Sequence, residues 1–336
     1  MSLAIPEEVA LPAEVPALET PASEPAEPKA ARVPARKSAT KVPPPRALKI
    51  ERTFAFVVAV VPFVGLLAAL AWHVMSAVDL VLMVILYAWT GFGITAGFHR
   101  LFTHRSFECT PRVRSAFAIA GSMALQGPVI RWVGDHRRHH QFSDKDGDPH
   151  SPHLMNQHGF VGAVKELWHA HIGWFFDQEK TRTQKFAPDL ISDKQVVAID
   201  KRYMTWVYLS VGLPFVLGGL LTWSWKGALT ALLWAGFARI FFVHHVTWSI
   251  NSICHFFGKK PYETGDESTN NVWLAIPSLG ESWHNAHHAF PTSAVHGLGK
   301  WQVDLSATLI KTLEKMGLAW NVKLPTEAQI AKRKLS

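Results

Sequence analysis

An all-α integral membrane protein is the fold class this sequence predicts, and three observations predict it. Of 336 residues, 48% are hydrophobic and 18% charged, a balance unlike that of ordinary soluble domains. The apolar residues gather into four stretches, 54–72, 78–98, 204–221 and 228–247, each near the ~20 residues a helix needs to cross a bilayer. Basic residues mark one side: Arg100 and Arg105 follow the second stretch, while the connection at Met75–Ala77 carries neither Lys nor Arg. By the positive-inside rule the four spans form two helical hairpins with both termini in the cytoplasm.

Taken in order, residues 1–52 hold ten of the 21 prolines and no apolar periodicity, which predicts a disordered cytoplasmic tail. Its basic half, from Lys29 through Arg52, abuts the first span. That span begins after some 50 polar residues, so it is not a cleavable secretory signal. Residues 53–320 form the membrane domain, with 321–336 a C-terminal tail. Trp72, Trp206, Trp223 and Trp225 fall at span ends, where amphipathic rings favour the headgroup level. Between the hairpins and after them lies a cytoplasmic helical cap, residues 99–203 and 249–336. Within it, Phe117–Ile130, broken at Gly127-Pro128, and Phe160–Phe176 are too polar or too short to span and read as helices on the membrane face. Leu305, Leu309, Leu313 and Met316 follow helical spacing, with Asp304 as N-cap and Gly317 as stop.

Composition also excludes functions. Two cysteines, Cys109 and Cys254, cannot hold a four-cysteine iron–sulfur cluster, and on the cytoplasmic side they predict no disulfide. The net charge of +8 has no nucleic-acid motif beside it and fits anionic lipid.

Of the 18 histidines, only His73 falls on the outer side. Eight form three spaced runs: His99 and His104; His136, His139 and His140; His284, His287 and His288. On a helix, positions i, i+3 and i+4 share a face, so each H-x-x-H-H run should aim three imidazoles at one point. A lone histidine near a membrane is more often a hydrogen-bonded structural residue; eight in spaced runs indicate metal. His255 is a ninth candidate, with Asn251 four residues before it supporting the site directly or through water. His150, His153, His158, His169, His171 and His296 lack the spacing and read as supporting or surface residues. His244 and His245 read as packing, Cys254 as a small buried residue, and Arg239, inside the fourth span, as reaching toward the cap.

A structural zinc site closes at four ligands, whereas eight or nine imidazoles suit two metals with open positions. Iron is the expected metal, because O2-driven cleavage of an unactivated C–H bond needs redox chemistry that zinc lacks.

These motifs resemble the membrane fatty-acid desaturase family, in its delta-9 acyl-CoA desaturase branch. The likeness covers roughly residues 53–320 and rests on HRLFTH at His99–His104, W-x-x-D-H-R-x-H-H at Trp132–His140, N-S-x-x-H at Asn251–His255 and G-E-x-W-H-N-x-H-H-x-F-P at Gly280–Pro291. The first box begins His-Arg, where front-end and methyl-end desaturases show His-Asp. The resemblance implies an oxidoreductase that uses O2 and two external electrons to place a cis double bond in a saturated long-chain acyl thioester, acyl-CoA favoured. His99, His104, His136, His139, His140, His255, His284, His287 and His288 would ligate two irons, with Asn251 holding a metal-bound water. Gln126, Trp132, Thr247 and Trp248 would line a bent substrate tunnel. Three positions depart from animal relatives: Gly134 replaces an Arg, Gln178-Glu179 replaces an Arg-Lys pair that approaches coenzyme A phosphates, and Ala286 replaces a Tyr. No flavin, heme or nicotinamide motif is present, so a separate donor is expected: a ferredoxin, a reductase or a cytochrome b5-like protein. Competing readings are a di-iron membrane hydroxylase or ketolase, and a membrane metal carrier or sensor.

Overall fold

The computed structural model describes residues 39–154 and 159–335, and these are mostly helical. Four helices are long and apolar enough to cross a membrane: Pro45–Trp72, Ala77–Thr103, Tyr203–Thr222 and Trp225–His255. Each extends beyond the apolar run that betrays it in sequence. The expected disorder of residues 1–52 is corrected for 39–52: Thr40–Lys41 pairs antiparallel with Lys180–Thr181, and the first span starts at Pro45, whose fixed φ suits the first turn of a helix. The rest of that expectation, with His158, lies outside the described residues. Past residue 320 the chain is also docked: Glu327–Arg333 is a helix opened by a Thr326/Gln329 capping box, and the Leu335 amide donates to the Pro261 carbonyl.

The second span changes its winding where chemistry begins. Ala77–Phe92 is α-helical under a Ser76/Asp79 capping box, and Gly93–Thr103 is a π-helix. Glycine permits this. A Cβ at Gly93 would sit 2.2 Å from the Gly121 amide nitrogen, so the wide turn crosses the cap helix Pro111–Ser122 almost backbone to backbone. A second π segment, Leu232–Ala238, lies within the fourth span.

The cap forms largely as its sequence predicts. Val129–Phe142 is a helix starting after Pro128, Gly159–His171 exposes Phe160, Val161, Val164 and Trp168, and Leu305–Lys315 is N-capped by Asp304, which accepts from the Ala307 amide. Both cysteines are free and buried. Arg239 is fully buried inside the bundle, donating to the carbonyls of Ala235 and Ser210 and to the Ser210 hydroxyl. A charge held in the apolar bundle is tolerable only because so many acceptors converge on it.

Candidate metal centre

The π-helix explains how His99 and His104, five residues apart, can meet. In an α-helix that spacing points two side chains to different faces; the wider i→i+5 turn, closed by the His104 amide on the His99 carbonyl at 3.1 Å, brings the rings to 4.8 Å between centroids. The second run sits on Val129–Phe142, His255 on the 3-10 turn ending the fourth span, and the third run on the short buried helix His284–Ala289.

Nine imidazoles converge, but not as the sequence predicts. Ring nitrogens of His99, His104, His136, His140 and His287 form one group, and those of His139, His255, His284 and His288 a second; within each, all donor atoms lie within 4.8 Å of one another. The expectation that each H-x-x-H-H run aims at one point is therefore corrected. His136 and His140 lie one turn apart and face one group, while His139 falls between them in sequence and faces the other. Likewise His287 parts from His284 and His288. Each H-x-x-H-H run clamps both groups together, while His99 and His104 both serve the first.

Carboxylates set the ring orientation. His139 Nδ1 lies 3.0 Å from both Asp148 oxygens, His255 Nδ1 2.9 Å from Asp144, His288 Nδ1 2.6 Å from Asp266, and His99 Nδ1 contacts Glu281. Burial alone would raise these carboxyls, but the imidazoles and surrounding hydrogen bonds win: Asp148 is pushed down to about 2, and Asp144, Asp266 and Glu281 are held below the usual carboxylate range. An ionised carboxylate only accepts, so Nδ1 carries the hydrogen and Nε2 keeps its lone pair toward the group. Burial first, then neighbouring imidazoles, holds His104, His136, His140, His284 and His287 well below the ordinary value. They are neutral near pH 7, the state a metal requires.

The donor set fits metal ions. Nε2 atoms of His99 and His287 are 3.0 Å apart, those of His287 and His140 2.9 Å, and those of His255 and His284 3.0 Å. Two ligands each ~2.1 Å from a common ion and at right angles stand about 3.0 Å apart. Nε2 of His104, His139 and His288 is buried with no hydrogen-bond partner, a costly state that a cation relieves.

Sequence reasoning missed the four carboxylates. Glu281 sits in a quoted motif, and Asp144 and Asp148 lie just past the second run; that density of acid beside histidine was the available signal. Glu281 also accepts from Arg100 Nε and Nη2 at 3.1 and 2.8 Å, and Arg100, fully buried, is bridged to Asp304. The second span thus locks to the third run. His150 and His296 lie closer than expected: His150 shares a donor group with His139 and Asp148, and His296 with His99 and Glu281. His153 contacts the His255 carbonyl at 2.6 Å. His244 donates to the Ala124 carbonyl and His245 meets His171 at 3.0 Å, so both serve packing.

Three neighbouring cavities that share lining residues reach the same place. The mouth, about 240 Å³, lies between Phe54 and Val58 of the first span and Tyr203 and Met204 of the third. The bend is walled by Gln126, Trp132, Thr247 and Trp248, with His136 and Asn251 facing it. The third cavity, about 50 Å³, is lined by His99, Asn251 and His284 together with Tyr87, Gly91 and Leu279. Gln126 Nε2 donates to Thr247 Oγ1 at 2.9 Å and Trp132 Nε1 to Gln126 Oε1 at 3.3 Å, and Trp132 stacks on His136 at 5.1 Å. A polar brace therefore fixes the corner of an otherwise apolar slot beside the histidines.

Comparison with known proteins agrees with this geometry. Residues 76–321 match the family model described as fatty acid desaturase. The chain is 44% identical over 282 residues to the hex-5-enoyl-[acyl-carrier protein] acetylenase of Moorena producens (strain JHB), covering 82% of this chain and 88% of that one. It is 40% identical over 242 residues to the sn-1 stearoyl-lipid 9-desaturase of Anabaena variabilis, covering 71% and 81%. With the acyl-CoA C20 Delta5-desaturase of Anemone leveillei it shares 40% identity over 256 residues, 75% of each.

Proposed function

The chain belongs to the fatty acid desaturase family, and on that premise we propose that it inserts one cis double bond, at the delta-9 position, into a saturated long-chain acyl group. His99, His104, His136, His140 and His287 hold one iron, and His139, His255, His284 and His288 the other, with Asn251 beside them through water. When bound, the irons supply the reduction of O2 by two external electrons and two protons that takes two hydrogens from adjacent methylenes and releases two waters. A ferredoxin or cytochrome b5-like donor brings the electrons to the cytoplasmic face, where both termini and the centre lie.

The single observation that carries this reading is the row of neighbouring cavities that meets both histidine groups, with His136 at the corner and His99 and His284 beyond it. A saturated chain offers no polar handle, so position must come from shape. Trp132, braced by Gln126 and Thr247, forces the turn, and Leu279, held at φ +56° beside Gly91, stops the methyl end. Carboxylate-fixed imidazoles keep the oxidising end rigid, and the surrounding burial excludes water. The stearoyl-lipid and C20 relatives support a long chain, although the hex-5-enoyl relative is named for a short one; the names cover more than one carrier and more than one double-bond position, so regiochemistry rests on the corner. Fatty-acid methyl-ester analysis with double-bond location, in a host lacking its own desaturase, tests it. Delta-9 monounsaturated acids made by the intact chain and absent with His287→Ala support the reading; hydroxylated acids, or equal activity in the variant, refute it.

A further inference from the structure

On the desaturase reading above, we infer that the acyl group is presented by a membrane glycerolipid, entering sideways between the first and third spans, and not by coenzyme A. Two features of the mouth point there.

Its outer edge is lipid-facing. Ile50 on the first span and Met204 on the third line the opening and are 61% and 43% exposed, on helices long and apolar enough to cross a membrane. Phe54 and Tyr203 meet edge-on across the gap, ring centroids 6.0 Å apart, and the Tyr203 hydroxyl accepts from the Gly127 amide at the start of the bend. An acyl tail already in the bilayer passes from lipid to slot along apolar wall, without crossing water.

Its polar edge is charge-balanced. Arg131, the cation of the mouth, lies 3.0 Å from Glu51 and 3.8 Å from Asp135. In the adjoining polar cleft Lys180 donates to the Phe175 carbonyl at 2.8 Å and Arg138 to the Gly147 carbonyl at 2.7 Å, while Asp177 and Glu179 add carboxylates. Coenzyme A carries three phosphate groups, each bringing one to two negative charges. Recognition of such a group calls for an excess of Arg and Lys forks, whereas the four cations lining the cleft, Arg131, Arg138, Lys145 and Lys180, share it with six carboxylates. A neutral or zwitterionic head group meets no such penalty. An acidic carrier protein meets the same acids as the nucleotide does.

The test uses the full-length, metal-loaded protein in phosphatidylcholine vesicles with a reducing system, in three arms. The first supplies phosphatidylcholine labelled in its stearoyl chain, the second stearoyl-CoA, the third stearoyl-acyl-carrier protein, each read as labelled olefin on its own carrier. The lipid arm is expected to run at least tenfold faster than either thioester arm. Desaturation of a thioester at a rate equal to or above that of the lipid overturns the inference and leaves the desaturase reading standing; silence in all three arms overturns both. Glu51→Gln with Glu179→Lys removes the nearer of the two acid partners of Arg131 and adds positive charge, and is expected to raise use of stearoyl-CoA at least tenfold. If stearoyl-CoA turnover does not rise, charge at the mouth does not select the carrier and the inference fails.

Discussion

Replacing Asp148 with Asn perturbs one histidine group and spares the other. Asp148 is buried; its Oδ1 accepts the His150 amide at 3.0 Å and its Oδ2 the Asp144 amide at 2.9 Å, while both oxygens hold His139 Nδ1. An amide has one oxygen, so in either orientation an NH2 faces a backbone N–H that has lost its acceptor. That costs about 1–3 kcal/mol of stability. The same NH2 competes for Nδ1 and frees His139 to carry its hydrogen on Nε2, where a metal needs a lone pair. Loss of such an outer partner weakens metal affinity about 10–100-fold, or about 1.4–2.7 kcal/mol. His139 belongs to the four-histidine group alone, so only that metal should weaken. The assay is iron retained per chain during chelator titration, read by elemental analysis alongside the melting temperature. The variant should release one iron at a chelator concentration at least tenfold below that of the parent while the second stays. Parallel loss of both irons, or a release curve superimposed on the parent's, would refute the separation into two groups or the role of Asp148.

Glu281→Gln should give the reverse order, since Glu281 orients His99 of the five-histidine group; it also leaves the buried Arg100 with Asp304 as its acid partner, at a stability cost of about 3 kcal/mol measured by thermal melting. Gln126→Leu removes the brace between Trp132 and Thr247, and a second double-bond position should rise to at least about a tenth of the product by methyl-ester analysis, because about 1.4 kcal/mol separates registers tenfold. His171, lowered to about 4 chiefly by burial and then by His245, stays neutral when folded while the unfolded ring protonates below about 6.5. Its contribution, at most about 3 kcal/mol, is thus fully present above pH 6.5 and lost as pH falls toward 4; the melting temperature of His171→Gln should fall less than the parent's across that window, and equal slopes would refute the assignment.

The sequence by itself determined whatever depends on local pattern. Four apolar runs of bilayer length specify four spans, because backbone polar groups in lipid must be satisfied within a helix. Histidine spacing pointed to eight of the nine imidazoles that converge, since several strong donors at i, i+3 and i+4 have few uses besides a metal, and Asn251 four residues before His255 pointed to the ninth. The Asp304 cap and the Gly127-Pro128 break were equally legible, each acting within a turn of itself. Tertiary structure decided the rest. Helical periodicity places His139 with its neighbours, but its ring pairs with whatever approaches it, and here that is Asp148 and the run bearing His284 and His288. Asp144 reaches the His255 ring from 111 residues away along the chain, and no local spacing encodes such a bond. The π winding that joins His99 to His104 needs Gly93 pressed against Gly121, a packing event between two helices. The order of residues 39–52 needs a partner strand at Lys180–Thr181. Spacing along the chain specifies which side chains are chemically able; only their approach in space fixes which partner each one serves.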